Sequence, residues 1–333
     1  MGNKIEICEI CGHNDFWEYK YPLDIKPFIS RVARGSARRY FVNIAKFILR
    51  LIIKLLPFLF SNKFKTRVVS PYKRLQSFKE SRHTIKNIET GMQLFISKNI
   101  LICKKCNLGT ISPKIPEDKL IEHYKQDYWV AGVGEIEPFE NNRTSSTYGL
   151  LSQYIDFNNL DEILEFGSAS AQLSRYLKTK QPNLTCDSID PGLVWKDALS
   201  GNLRNIYRDV KLIQGQYSLL MGSHSLEHVS DVMLYFKKFT DLIKKDGYLY
   251  FEVPNSTERD LIFGEKPDFH FPHTYFFTQE SFNEIAKKFN LEVVFNKTFS
   301  RSYSQLFNGV NKEITPIQEN PNGSYLRILL KKK

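Results

Sequence analysis

Three features of this sequence predict an α/β fold with a doubly wound sheet, preceded by a small cysteine-paired unit that a basic helical segment interrupts. From about Asn159 onward, short apolar runs alternate with segments of helical periodicity, the order that builds parallel strands joined by crossover helices. Four of the five cysteines form two tight pairs, both ahead of that region. Charge divides the chain as well: residues 1–116 carry a net +15 and the remainder −4. With 333 residues, 42% hydrophobic and 25% charged, the chain exceeds one compact domain and has a globular rather than a disordered composition. The division expected is 1–116, 117–158 as a helical lead-in, and 159–333.

The cysteines come first. "CEIC" holds Cys8 and Cys11, and "CKKC" holds Cys103 and Cys106. Each pair presents two thiolates from one turn, and two such turns together make a tetrahedral zinc site. Lys104 and Lys105 are placed to offset the surplus charge of four thiolates, and Gly12 and Gly109 offer the permissive backbone such turns use. The 91 residues between the pairs then form an insertion whose ends the metal ties together. Disulfides are the competing reading, disfavoured because no apolar export segment follows the N-terminus; a cytoplasmic location is expected. Cys186, in "TCDSID", reads as a buried strand residue.

The insertion, about 17–91, is strongly basic: between Ile25 and Lys79 there are 14 Lys/Arg and no Asp/Glu, which attracts phosphate-bearing partners. Within it, "YFVNIAKFILRLIIKLLPFLF" (Tyr40–Phe60) gathers Asn43, Lys46, Arg50 and Lys54 into a narrow polar stripe at helical spacing. Spanning a bilayer would cost about 2.5–3.5 kcal/mol for each buried cation, and Pro57 breaks the helix. Two readings remain: a helix lying on an anionic membrane surface, and a helix packed on the protein. Interleaved aromatics such as Tyr40, Phe64 and Tyr72 leave RNA as a weaker third.

After Asn159 the elements follow in order. "EILEF" is a strand and "SAQLSRYLKT" a helix; "LTCDSID" and "YSLLMGSH" are strands; "SDVMLYFKKFTDLIKK" is a helix stopped by "DG"; "YLYFEVP" is a strand, "QESFNEIAKKFN" a helix, and "LEVVFNKTF" and "SYLRILLKK" the closing strands. These suffice for a seven-stranded sheet. Residues 300–322 receive no assignment. The turn "EFGSASAQ" sits between the first strand and helix, where a nucleotide-like ligand binds. Ala169 and Ala171 stand where a dinucleotide turn has glycine, which disfavours a pyrophosphate, and Glu165 repels phosphate but suits a cationic ligand. S-adenosylmethionine is therefore preferred over NAD.

Over roughly Asn159–Lys332 the chain resembles the class I S-adenosylmethionine-dependent methyltransferases, whose seven-stranded sheet is Rossmann-like. Their ExGxGxG segment corresponds to Glu165–Ala171, with Glu165 and Gly167 matching, Ser168 and Ala169 completing the turn, and two glycines replaced by alanine. The resemblance implies that Asp190, in "SIDPG", binds the ribose hydroxyls. It also implies that Ser223 and His224, in "SHSLEHVSDV", stand at the methionine end of the cofactor. With the paired cysteines and "CNLGTISPKIPEDKLIEHYKQDYW", the chain resembles the zinc-containing sugar C-methyltransferases, which act on nucleotide sugars and surface-glycan precursors. Their HEH.SYFS-like segment corresponds to "FPHTYFFT", so His273 is the implied base, while Phe271 and Pro272 replace the His and Glu before it. His228 is a supporting or substrate residue, and His270 matches no motif position. Carbon methylation needs a base to form a carbanion, whereas oxygen methylation needs only removal of a hydroxyl proton; both stay open. A lipid or RNA acceptor, or a zinc-organised membrane adaptor without activity, are the alternative functions.

Overall fold

A computed structural model describes residues 5–20, 91, 93–125, 142–192, 203–256, 273–300 and 318–333. The helix expected over 40–60, together with His270, Phe271 and Pro272, lies outside them. Near the N-terminus, β1 (Phe16–Lys20), β2 (Asn99–Cys103) and β3 (Gly109–Ser112) run antiparallel. Helices α1 (Glu117–Lys125) and α2 (Asn142–Leu151) follow. Acids open α1 and basic groups close it, the arrangement that suits the helix dipole.

The larger sheet begins with β4 (Glu162–Phe166), followed by α3 (Gln172–Lys180), β5 (Thr185–Ile189), β6 (Asn205–Tyr207), β7 (Tyr217–Ser223) and α4 (Val232–Leu242). The chain continues through β8 (Ile243–Pro254), β9 (Tyr275–Phe276), α5 (Gln279–Lys288), β10 (Leu291–Ser300), β11 (Gln318–Glu319) and β12 (Tyr325–Lys332). Strand order is β11-β10-β12-β8-β7-β4-β5-β6. From β6 to β8 the pairs are parallel; β12, β10 and β11 add on antiparallel. Eight strands form this sheet where seven were expected; six match segments named in the sequence, and the two-residue edge strand β11 lies in the stretch that had no assignment. Strand β6 is only "NIY" and carries no apolar run to announce it.

Helix α4 shows why these segments fold as they do. Asp231 caps it, accepting from the N–H groups of Met233 and Leu234 at 3.0 Å, and Val232, Tyr235, Phe236, Phe239 and Leu242 form its buried stripe. The sequence suggests a helix running to the "DG" stop, but it ends at Leu242. Ile243 is buried and already extended, so the turn residues fall inside β8, where Asp246 is left-handed (φ 61°) and the register against β7 shifts. Among the described residues no helix is long and apolar enough to cross a membrane.

The two parts of the chain are joined by a strand. β9 pairs with β3, Gly109 opposite Phe276 and Thr110 opposite Tyr275, and the N–H of Ile111 donates to the carbonyl of Thr274 at 3.1 Å. Cys103, Cys106 and Leu108 share one core with Val229, Val232 and Tyr275. This corrects the reading of Gly109. It is not a left-handed turn residue; a Cβ there would meet the Phe276 Cβ at 2.8 Å, so close strand approach demands glycine. The left-handed residues of the two cysteine turns are Gly12 (φ 72°) and Asn107 (φ 55°).

Candidate active site

The four paired cysteines converge. Cys8 Sγ lies 3.6 Å from Cys106 Sγ and Cys11 Sγ 3.5 Å from Cys103 Sγ, with all four sulfurs within 4.8 Å of one another and none in a disulfide. Four sulfurs held about 2.3 Å from one zinc ion would sit roughly 3.8 Å apart, so the donor set fits that ion. Hydrogen bonding from the Cys106 thiol, against the effect of burial, brings Cys8 down to about 5. Lys104 is occupied by Asp15 at 2.9 Å. Cys186 is buried in β5 and takes no part.

A cavity of about 430 Å³ opens at the carboxyl ends of β4, β5 and β7, the edge where α/β sheets bind ligands. Gly167 turns the chain at φ 62°, and a Cβ there would run into the Ser225 side chain. Ala169 and Ala171 hold the left-handed conformation as well, at φ 43° and 49°. The backbone thus keeps the glycine-type turn although two glycines are absent, at a cost of about 1–2 kcal/mol per residue. Ala169→Gly and Ala171→Gly are accordingly expected to leave stability unchanged or raise it by up to about 1 kcal/mol, where Ala→Gly in an ordinary helix costs about that much. Denaturant unfolding of each variant is the check.

Asp190 gathers this loop. Its two carboxylate oxygens accept from the N–H groups of Ala169 and Gly192, each at 2.8 Å, and burial raises its pKa. Arg208 braces the other side, donating to the carbonyls of Asp190, at 2.9 Å, and Gly192. Its Nη2 and the Ser168 hydroxyl are buried at the cavity without a hydrogen-bond partner. Such groups are normally satisfied, and a polar ligand of adenosyl type in the cavity would satisfy them. Glu165 accepts from the N–H of Ser174 at 2.9 Å, at the positive end of α3, and burial lifts it to about 7. It thereby ties β4 to the helix start while lining the cavity.

At the other end of the cavity lies a buried network of charges. Glu252 receives Arg143 Nε on one oxygen and Arg327 Nε on the other, both at 2.7 Å. Arg143 also donates to Ser223. Burial works to raise the Glu252 pKa, but the two guanidiniums and His224 hold it well below the carboxylate range. His224 takes a left-handed backbone (φ 49°), with Nδ1 3.3 Å from Glu227 and Nε2 3.4 Å from Glu252. Burial and Arg143 oppose its charged form; the two carboxylates prevail and raise its pKa.

His228 and His273 meet beside this network, their rings 4.9 Å apart and near-perpendicular. Sequence separates them by 45 positions; Thr274 unites them. Its N–H and hydroxyl both donate to the Glu227 carbonyl, at 2.8 and 2.9 Å, and the hydroxyl also reaches the Val229 carbonyl at 2.6 Å. Tyr124 of α1 packs edge-on against His228, and His123 lies near enough that burial and then His228 lower it to about 4. Every cofactor and base residue expected from the sequence therefore falls on or beside one cavity, and the four cysteines form their own cluster.

The sequence reading misses Arg143, Arg208, Glu227, Glu252 and Arg327. For Glu252 and Arg327 a signal existed: each is the one charge within an apolar run, "YLYFEVP" and "YLRILL", and β8 and β12 pair them directly. Arg143 falls in the expected lead-in, where no motif points to it.

Residues 122–295 match the family described as Methyltransferase domain, over half the chain. No curated protein sequence matches significantly. Similar solved structures include a SAM-dependent methyltransferase of Thermotoga maritima (15% identity, 58% of this chain and 91% of that one, TM-score 0.44). A magnesium protoporphyrin IX methyltransferase of Synechocystis PCC 6803 with bound SAH is another (11%, 58% and 84%, 0.40). A third is an S-adenosylmethionine-dependent methyltransferase of Clostridium acetobutylicum (12%, 65% and 98%, 0.41).

Proposed function

We propose, since this chain belongs to the methyltransferase domain family, that its acceptor is a sugar, carried as a nucleotide sugar or as a surface-glycan precursor. The chain is an S-adenosylmethionine-dependent methyltransferase, a reading favoured over the inactive adaptor. Support for the acceptor class comes from the resemblance to zinc-containing sugar C-methyltransferases. The observation that carries it is the placing of His273 beside His228 by a segment that hydrogen-bonds to the cysteine unit. Zinc on Cys8, Cys11, Cys103 and Cys106 is part of the proposal, and its contribution is structural.

S-adenosylmethionine, when bound, supplies a methyl group on a sulfonium sulfur. Asp190 keeps lone pairs for the ribose hydroxyls after gathering the loop, Glu165, Gly167, Ser168 and Ala169 shape the turn, and Ser223 and His224 stand at the methionine end. His273 takes the acceptor's proton on an imidazole nitrogen, supported by His228. Because Phe271 and Pro272 replace the His and Glu of the C-methylating segment, a hydroxyl oxygen is favoured over a carbon: one base suffices for it. The basic segment over 25–79 is proposed to meet an anionic membrane surface, which suits a lipid-linked acceptor.

Calorimetry tests the cofactor half. Asp190→Ala is expected to weaken S-adenosylmethionine binding by about 1–3 kcal/mol, the range for buried groups left unpaired; unchanged binding removes Asp190 from the site. For the acceptor half, labelled methyl is expected on a nucleotide sugar within a panel of sugars, lipids and RNA. Label appearing only on RNA or simple lipid would end the sugar reading.

A further inference from the structure

Glu227 has no role so far, yet it is 1% exposed, and neither carboxylate oxygen receives a hydrogen bond. A buried anion needs compensation, and three imidazoles surround this one. His224 Nδ1 stands 3.3 Å and His228 Nε2 3.9 Å from the same oxygen. Ring nitrogens of His228 and His273 and a Glu227 oxygen all fall within 4.8 Å of one another. Tight backbone bonds fix the arrangement, since the Thr274 clamp closes on the main-chain carbonyl of Glu227 itself.

Two roles fit a Glu–His–His group: holding a metal ion, or holding protonated imidazoles. The His228 Nε2 and the Glu227 oxygen stand 3.9 Å apart, wider than the roughly 3.3–3.4 Å that neighbouring ligands about 2.0–2.1 Å from a tetrahedral zinc keep. His224 Nδ1 already stands 3.3 Å from the carboxylate. Geometry therefore favours the proton.

We infer that Glu227 is the positioning residue of the acceptor base: a shared counter-anion that makes His228 and His273 more basic and lets the proton removed from the acceptor rest on their imidazoles. The inference rests on the reading of His273 and His228 as base and support. Other groups facing the cluster are His224 from the same loop, His123 and Tyr124 from α1, and, beyond His224, Glu252 with Arg143 and Arg327. The proton passes from acceptor hydroxyl to imidazole nitrogen, and the carboxylate changes neither bonds nor proton count.

The test is a histidine NMR titration of the full chain, labelled at the imidazole carbons, with His228 and His273 assigned from single variants. Glu227→Gln is expected to lower both midpoints by about one pH unit or more, as loss of an opposite charge at this range does, and Glu227→Asp to retain most of the effect. Where Glu227→Gln fails to fold, His224→Asn provides the independent arm, asparagine tolerating the left-handed backbone. Removing the competing imidazole should raise both midpoints. Midpoints that stay put in the folded variants overturn the proposal, as does a metal ion beyond the cysteine site that Glu227→Asp abolishes. S-adenosylmethionine binding, measured alongside, separates the outcomes: a wild type that does not bind it refutes the methyltransferase site itself, whereas normal binding with immobile midpoints refutes only the role of Glu227.

Discussion

Cys106→Ser is expected to yield a protein without zinc, less stable than wild type by more than about 4 kcal/mol, a loss few single changes reach apart from removal of a metal or disruption of a core. Two effects add. The proposed zinc would close a loop of 91 intervening residues, and its binding free energy would count as folding free energy. Cys106 is also fully buried in the core that holds Val229, Val232 and Tyr275, so the damage does not stop at the cysteine turns. β3 loses its support, and with it β9 and the segment carrying His273. The cofactor loop is spared, because Asp190, Gly167 and Ser225 hold it from β4, β5 and β7. Elemental analysis, thermal melting and calorimetry should therefore show zinc absent, a lower transition temperature, and S-adenosylmethionine binding that survives below that transition. Wild type free of zinc after preparation without chelator, or a variant that melts like wild type, would refute this.

Arg327→Met should cost about 3–5 kcal/mol, the penalty for leaving one member of a buried ion pair uncompensated. Arg327 and Glu252 are 1% and 3% exposed, and they occupy directly opposed positions on β12 and β8. Arg143 remains on the second oxygen, which sets the lower end of the range. Pairing Arg327→Met with Glu252→Gln should recover part of the loss, because the stranded charge is then gone; a double-mutant cycle reads the coupling. The pH dependence has a definite sign. The folded pKa of Glu252 lies well below the ordinary 4.5, so its stabilisation is present above that value and is lost as pH falls through the folded pKa. Wild type should hold this contribution in mild acid, while Arg327→Met, with a less depressed carboxylate, should begin to unfold at higher pH. Equal acid midpoints for the two proteins would count against the pair.

Repeating local patterns made much of the fold legible. The alternation after Asn159, the amphipathic stripe of α4 and the acid–glycine turn each follow from a handful of neighbouring residues, as do the "CxxC" pairs. Spacing near Glu165 and Asp190 likewise pointed to the end of the cavity proposed to hold the cofactor, because strand, turn and helix lie close in sequence there. The acceptor end was different. His228 and His273 were named singly, from short motifs, and nothing local says that their rings touch.

What the sequence by itself determined is most elements of the larger sheet, the α/β class, the cysteine pairs and the acid–glycine turn after β4: features held by hydrogen bonds and apolar periodicity within some 25 residues. Tertiary structure alone decided that Ala169 and Ala171 adopt a conformation their side chains resist, because Asp190 and Ser225 fix the loop from other strands. Only the fold sets Glu252 between Arg143 and Arg327, and Glu227 among three histidines, since charges compensate through space and a buried carboxylate answers to whatever the sheet brings opposite it. Strand pairing between β3 and β9 did the same for the cysteine unit, turning an apparently separate module into the support of His273.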